Sequence, residues 1–306
     1  MEDYLLSYLD NVGITEGISS SDVVCEICGN ESYKTMVDEV EINPNVFGKL
    51  PVVGCTNCHY IYQNPRFNKK FYEDYYDKYY RLMLFDNADP EPDFIRDQVQ
   101  RGEHLCRSLS GYLPEQGRLL DVGCSSGGLM IPFLKRGWEA LGTDPNSAYV
   151  NYGKKIGLEI KAQPAEDMTL PDNYYDLIII TGSLEHVFDV NKVLSLCYQA
   201  CGDNGLLLIE GRALNYGGIK GFFSHNHRRY LTTESIELLM KKKGWLPMLS
   251  TEETLAGPTR PGAVFVLGKK ARPLAGEQLQ KYIESIPSDR FQKIKASLGD
   301  MKGLVK

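Results

Sequence analysis

From residue 115 onward, apolar positions fall into short continuous runs that alternate with amphipathic stretches. RLLDVG (118–123) reads as a strand, GLMIPFLKRG (128–137) as a helix closed by Gly137, WEALGTD (138–144) as a second strand and SAYVNYGKKIG (147–157) as a second helix. The rhythm continues through LEIKA, YDLIIIT, the helical NKVLSLCYQA and the strand GLLLIEG. Thr232 and Thr233 can cap a helix through SIELLMKKK that Gly244 ends, and WLPMLS and AVFVLG add two strands. This βαβα order predicts an α/β fold: a mostly parallel sheet with helices on both faces.

The earlier part of the chain has a different texture. Residues 1–20 form a short amphipathic start and a linker, and residues 21–65 set two cysteine pairs among turn residues. Residues 66–114 read as a helical bridge or lid. In that bridge the aromatic run FYEDYYDKYY (71–80) is expected to pack as an amphipathic helix or to line the mouth of a site. After the α/β region, 115–270, a polar tail over 271–306 is expected to be helical, broken near Pro287, with no legible role.

Composition narrows the class. Lys+Arg 34 against Asp+Glu 40 gives a net charge of -6, so the protein as a whole does not attract nucleic acid or anionic lipid. The acidic start MEDYLLSYLD lacks the basic region of a secretory signal, which predicts a cytoplasmic protein. Apolar runs such as Leu177–Ile180 and Leu206–Ile209 are strand-sized, so no membrane span is expected. Eight cysteines in a cytoplasmic chain of this length favour metal or catalytic roles over a disulfide scaffold.

LLDVGCSSGG (119–128) carries a string shared by two chemistries. Gly123-Cys124-Ser125-Ser126-Gly127 fits the G-x-S-x-G turn that presents a nucleophilic serine. It also fits a glycine-rich strand-to-helix loop that lets the backbone approach a nucleoside. The hydrolase reading needs an upstream oxyanion loop of the HGGG type, which is absent, and the motif here follows the first strand rather than a later one. Asp144, 23 positions after Asp121, ends the second strand where a carboxylate can take ribose hydroxyls. A dehydrogenase would use the same acid, but Ser125 stands where its fingerprint needs a second glycine.

In the order DVGCSSG, TDPN, AEDMTLPDNYYDLIII, SLEHVFD and NGLLLIEG, residues 115–270 resemble the class I S-adenosylmethionine-dependent methyltransferases. The resemblance implies a Rossmann-like sheet and S-adenosyl-L-methionine as cofactor. It further implies that Asp121, Gly123, Cys124, Ser125 and Gly127 shape the pocket for the methionine part, and that Asp144 and Pro145 lie at the ribose. Glu166 and Asp167 would lie beside the adenine, and Ser183 and Leu184 near the acceptor side.

Cys25-Glu-Ile-Cys28 and Cys55-Thr-Asn-Cys58 are two C-x-x-C knuckles, whose four thiolates complete a tetrahedral zinc site. With every position filled by protein, the metal is expected to be structural. The long spacer between the pairs predicts an extended hairpin. His59, adjacent to a ligand, could substitute for one. This segment and the text after it, CHYIYQNPR then FYEDYY, resemble the zinc-ribbon head of some bacterial methyltransferases, including sugar C-methyltransferases. Cys106, Cys124, Cys197 and Cys201 read as packing residues.

Two places offer a proton acceptor near the transfer site. Glu185-His186 follows the fourth strand, and the loop EGRALNYGGIKGFFSHNHRRYLT (210–232) concentrates His225, His227, Arg228, Arg229 and Tyr230 in a chain with five histidines. Histidine suits proton transfer near neutral pH and arginine forks suit phosphate or carboxylate. His225, His227, His186 and Glu185 are therefore candidate catalytic groups, with Arg228, Arg229 and Tyr230 as candidate substrate contacts. The expected function is methyl transfer to a small anionic acceptor such as a nucleotide-linked sugar or natural-product intermediate, by a monomer or homodimer. An RNA or protein methyltransferase that docks through the ribbon, and a non-catalytic cofactor-binding scaffold, remain as alternatives.

Overall fold

The computed structural model describes residues 19–37, 40–43, 46–48, 51–78, 90–214, 223, 226–287 and 289–299. Its centre is a seven-stranded sheet built from β8 (Arg118–Val122), β9 (Glu139–Asp144), β10 (Ile160–Ala162), β11 (Tyr175–Ile180), β12 (Cys201–Arg212), β14 (Trp245–Thr251) and β15 (Ala263–Lys270). Their spatial order is β10-β9-β8-β11-β12-β15-β14. The first five are mutually parallel, and β15 runs antiparallel to both β12 and β14. The mostly parallel α/β sheet expected from the apolar rhythm is therefore present.

Alternation along these strands divides the interior into two cores. Leu120, Val122, Ile178, Ile180, Leu207 and Ile209 face one side, and Leu119, Leu177, Ile179, Leu206 and Leu208 the other. Each residue is buried on a strand covered on both faces, which is why the runs read as continuous rather than alternating. Full burial of one such side chain contributes about 2 kcal/mol.

Three helices begin at side-chain caps, of which the sequence announced the one at Thr232. Asn146 caps α4 (Ser147–Lys155) through the Tyr149 N–H, and Asp189 caps α5 (Val190–Ala200) through the Lys192 N–H. Thr232 caps α6 (Thr233–Lys243), which ends at Gly244 with φ 96°. The helix expected over 128–137 is shorter: a 3-10 turn, Gly128–Met130, leads into α3 (Ile131–Leu134).

The cysteine segment folds around antiparallel strands β2 (Tyr33–Val37), β5 (Val52–Cys55) and β6 (Ile61–Gln63), with β3 (Val40–Asn43) and β4 (Val46–Gly48) forming a hairpin within the spacer. A fourth strand, β13 (Arg229–Tyr230), arrives from the end of the loop after β12 and pairs with β6, Arg229 opposite Tyr62 and Tyr230 opposite Ile61. One apolar cluster therefore runs from Cys25, Cys55, Tyr60 and Tyr62 into the sheet's first core.

Between these two parts lie α1 (Lys69–Lys78) and α2 (Pro92–Ser108). Gly102 lets α2 approach the 3-10 turn: a Cβ there would stand 2.3 Å from the Leu129 carbonyl oxygen. The tail forms α7 (Glu277–Glu284) and α8 (Arg290–Gly299), and it has a structural role the sequence did not reveal. Leu279 and Ile283 enter the first core, Gln280 Nε2 and Oε1 bond Asn57, and Phe291 packs edge-on against His59. No described helix is long and apolar enough to cross a membrane.

Candidate active site and cysteine cluster

The strand order reverses beside β8, with β9 on one side and β11 on the other, so a crevice opens at their carboxyl ends. A cavity of about 890 Å³ occupies it. Asp121, Gly123, Cys124 and Ser125 line one wall, Asp144, Pro145 and Glu166 a second, and Ser183, Glu185 and His186 a third.

The glycine loop owes its shape to backbone geometry and to α2. Gly123 and Gly127 have φ 78° and 79°, and Ser125 adopts φ 57°, a left-handed conformation that costs a non-glycine residue about 1–2 kcal/mol. Its N–H donates to Asp144 Oδ2 at 2.8 Å, which helps hold the turn. Gln98 of α2 fastens the other side: its Oε1 accepts from Ser126 Oγ at 2.7 Å and the Gly128 N–H at 3.2 Å, and its Nε2 donates to the Cys124 carbonyl. Gly127 does not reach the cavity. A Cβ there would meet Ile160, Met130 and Leu158, so it serves packing rather than lining.

Asp144 Oδ1 accepts the Asn146 N–H at 2.8 Å. With Oδ2 held by Ser125 and Oδ1 by Asn146, the carboxylate is fixed in orientation at the cavity wall. Glu166 accepts the N–H groups of Phe188 and Asp189 at Oε1 and faces the cavity. Asp167 points away to Lys192 at 3.8 Å. Leu184 is wholly buried in the first core and does not line the cavity, whereas Ser183 does, with its hydroxyl donated to the Val122 carbonyl.

Asp121 is the electrostatic centre of the first wall. Burial pushes its carboxyl up to about 7, against the lowering charge of Arg101 and with a further push from Asp144. Its Oδ1 is buried with no hydrogen-bond partner, although it borders the cavity. An orphaned buried oxygen beside two fixed carboxylates suits a ligand that brings cationic and hydroxyl groups. The sulfonium, ammonium and ribose of S-adenosylmethionine are such groups, so the residues fit this cofactor.

In the same cavity, Glu185, His186 and His227 place their donor atoms within 4.8 Å of one another. The two imidazole centroids are 4.6 Å apart. Burial and the neighbouring His227 lower the proton affinity of His186 well below its ordinary value, and its Nδ1 bonds the Asn226 carbonyl at 3.1 Å. A carbonyl only accepts, so the Nδ1 carries the proton and the ring is a neutral acceptor at Nε2. Glu185 Oε2 is buried without a hydrogen-bond partner. Such a trio can accept a proton, or present a His₂-carboxylate set to a divalent ion.

The arginine pair after this loop departs from the sequence expectation. Arg229 is fully buried, paired with Glu26 at 2.8 Å, and Tyr230 is buried with its hydroxyl donated to the Ala213 carbonyl at 2.9 Å; neither lines the cavity. Arg228 does line it, but its guanidinium lies 3.3 Å over the Tyr72 ring and donates to the His186 carbonyl. His225 lies outside the described residues. Instead, Arg101, Arg212 and Arg260 supply cationic side chains to the cavity, together with Lys69. Sequence reasoning missed these because they come from a helix, a strand end and a Gly/Pro-rich loop far apart in the chain. The aromatic run is divided: Tyr72 and Tyr76 line the cavity while Phe71 and Tyr75 pack in the interior.

The four knuckle cysteines also converge, all within 4.8 Å. Cys25 Sγ and Cys58 Sγ lie 3.5 Å apart, as do Cys28 and Cys55. Zinc–thiolate bonds of about 2.3 Å at tetrahedral angles give sulfur separations of about 3.8 Å, so the cluster fits one zinc ion. His59 is not in this group; its ring turns to Phe291. Cys106, Cys197 and Cys201 are buried and unbridged, as expected of packing residues, and Cys124, also buried and unbridged, borders the cavity.

The profile of a methyltransferase domain matches residues 93–248. The chain is 27% identical over 147 residues to a ubiquinone biosynthesis O-methyltransferase of Sinorhizobium medicae, covering 45% of this chain and 58% of that protein. It is 27% identical over 176 residues to the protein of the same name from Cereibacter sphaeroides, covering 51% of this chain and 70% of the relative. The chain thus spans little more than half the length of the first of these relatives. Among solved structures, a chain of the complex between the Haloferax volcanii Trm112 methyltransferase activator and a methyltransferase aligns with TM-score 0.50 at 10% identity, over 59% of this chain and 95% of that one, a likeness of fold alone. Because the matched profile takes in half of the chain, together with the glycine loop, the second-strand acid and the Glu185-His186 turn, the protein belongs to the methyltransferase domain family and has the class I S-adenosylmethionine-dependent architecture.

Proposed function

We propose that this protein transfers a methyl group from S-adenosylmethionine to a small anionic acceptor, such as a nucleotide-linked sugar or a natural-product intermediate, and that its cysteine cluster holds one structural zinc ion. The observation that carries the reading is a single cavity. It is lined by the carboxylates Asp121 and Asp144 and by Glu185, His186 and His227 together.

When bound, the cofactor supplies an electrophilic methyl group on a cationic sulfonium. The chain's own groups do the rest by holding and orienting. Asp144 takes ribose hydroxyls, Glu166 flanks the adenine, and Asp121 faces the cationic methionine part. His186, neutral and fixed through Nδ1, takes the acceptor's proton at Nε2, and the Glu185 carboxylate stabilises the imidazolium that results. Arg212 and Arg260 hold the acceptor's anionic group, a role suited to guanidinium forks. Tyr72, Tyr76 and Phe188 exclude water, which strengthens each of these interactions. The ubiquinone biosynthesis relatives are O-methyltransferases by name, which makes a hydroxyl acceptor the first class to try.

Calorimetric titration with S-adenosylmethionine and S-adenosylhomocysteine tests the cofactor assignment. The wild type is expected to bind both and Asp144→Ala to bind both at least tenfold more weakly; a folded wild type that binds neither overturns the reading. A radiolabelled methyl donor offered with nucleotide-linked sugars and acidic phenols then assigns the acceptor.

A further inference from the structure

We infer that Glu26, in the first cysteine knuckle, is a positioning residue for the catalytic turn, acting through Arg229; this rests on the proposed role of that turn in methyl transfer. Glu26 stands between Cys25 and Cys28, where a C-x-x-C knuckle asks only for a spacer. Its carboxylate nevertheless accepts five hydrogen bonds. Oε1 accepts from Arg66 Nη1 at 2.7 Å and Arg229 Nη2 at 2.8 Å, and Oε2 from Arg66 Nη2 at 2.9 Å, Arg229 Nε at 3.1 Å and the Tyr60 hydroxyl at 2.9 Å.

Arg229 uses its remaining nitrogen on the active site. Nη1 donates to the Leu184 carbonyl at 2.6 Å and the Val187 carbonyl at 2.8 Å, the two residues that bracket Glu185 and His186. The adjacent backbone closes the same turn, since the Arg228 N–H donates to the Glu185 carbonyl at 3.0 Å and the Arg228 carbonyl receives the Gln63 N–H at 2.9 Å. His186 Nδ1 then bonds the carbonyl of Asn226 on this same stretch. A planar fork fixed on one side by a bidentate carboxylate can hold two carbonyls in one plane, which a flexible ammonium cannot. The cysteine segment is thus a support for the catalytic turn. It sets where His186 points and which of its nitrogens carries the proton.

The test uses the full chain labelled with ¹⁵N-histidine, in Glu26→Gln, Arg229→Lys and Tyr60→Phe. The imidazole ¹⁵N spectrum of His186 above its titration reads the tautomer, and amide exchange over 183–188 reads the turn. The wild type is expected to show a single tautomer protonated at Nδ1. In Glu26→Gln and Arg229→Lys that signature gives way to mixed tautomers and amide exchange in the turn rises about tenfold or more, while the amides of β8 stay protected. Tyr60→Phe, which leaves the carboxylate–guanidinium fork intact, is expected to match the wild type. Should Glu26→Gln fail to fold, Arg229→Lys decides, because it keeps the charge and removes only the fork. Unchanged tautomer and exchange in a folded variant, or an equal change in Tyr60→Phe, overturns the inference. Binding of S-adenosylhomocysteine, measured on the same samples, reports separately on the cofactor assignment.

Discussion

Asp121→Asn is expected to make the protein more stable at neutral pH and to leave it nearly unchanged in acid. The wild-type carboxyl is fully buried at the end of β8, with one oxygen lacking a hydrogen-bond partner. Burial is the largest influence on it and raises it from 3.8 to about 7, although Arg101 pulls the other way. A folded-state value above the unfolded one means that the folded chain binds this proton more tightly. The stabilisation is complete below about 3.8, is lost progressively as pH rises, and is gone above about 7. Three units at 1.36 kcal/mol each correspond to about 4 kcal/mol over the whole window, and to about 3 kcal/mol between pH 5 and 8. The asparagine is isosteric and neutral throughout. Urea unfolding of both proteins at half-unit intervals from pH 5 to 8 should therefore show their stability difference growing by about 3 kcal/mol in favour of the variant. Parallel curves across that range would refute the reasoning, because they would mean that the Asp121 carboxyl does not titrate there. The same linkage reaches ligand binding: a cationic ligand draws the carboxyl down, so cofactor binding by the wild type near pH 6 should release a proton, seen as a dependence of the calorimetric heat on buffer ionisation. The variant should show none.

Three further outcomes follow from the same geometry. Gly123→Ala places a methyl group 2.4 Å from Ser183 Cβ at φ 78°, and should cost about 2 kcal/mol in urea unfolding as well as weakening cofactor binding. Asp144→Ala removes the acceptor for the Ser125 and Asn146 N–H groups as well as for the ligand, and should lower S-adenosylhomocysteine affinity at least tenfold, the scale of one charged hydrogen bond. Metal analysis of the purified chain should find one zinc ion, released when thiols are blocked with a mercurial; Cys28→Ser should lower the melting temperature of the entire protein, since the ribbon and the sheet share one core.

Much of this was legible in the chain. The apolar runs of β8, β11 and β12 announced strands buried on both faces, and the caps at Thr232 and Gly244 were read from residue chemistry alone. The glycine loop and Asp144 were legible because a nucleoside site makes local demands on backbone and spacing. The two C-x-x-C pairs were legible for the same reason, since ligand spacing within a knuckle is a short-range constraint.

What the sequence misrepresented was always a matter of partners distant along the chain. Arg228-Arg229 reads as an anion-binding pair, but β13 sends the two side chains to different surroundings: Arg229 pairs with an acid 203 residues away, and Arg228 lies on the Tyr72 ring. Glu26 reads as a spacer because nothing near it reveals two arginines. Glu166 and Asp167 are neighbours of equal charge, yet only Glu166 turns inward, held by the N–H groups of Phe188 and Asp189. The sequence by itself determined the sheet, its caps, the cysteine knuckles and the acids at the strand tips, since each follows from periodicity or from spacing over a few residues. Which charges are buried, which are paired and which face the cavity was decided by the tertiary structure alone, because the cost of desolvating a charge depends on groups that only the folded chain brings within a few ångströms.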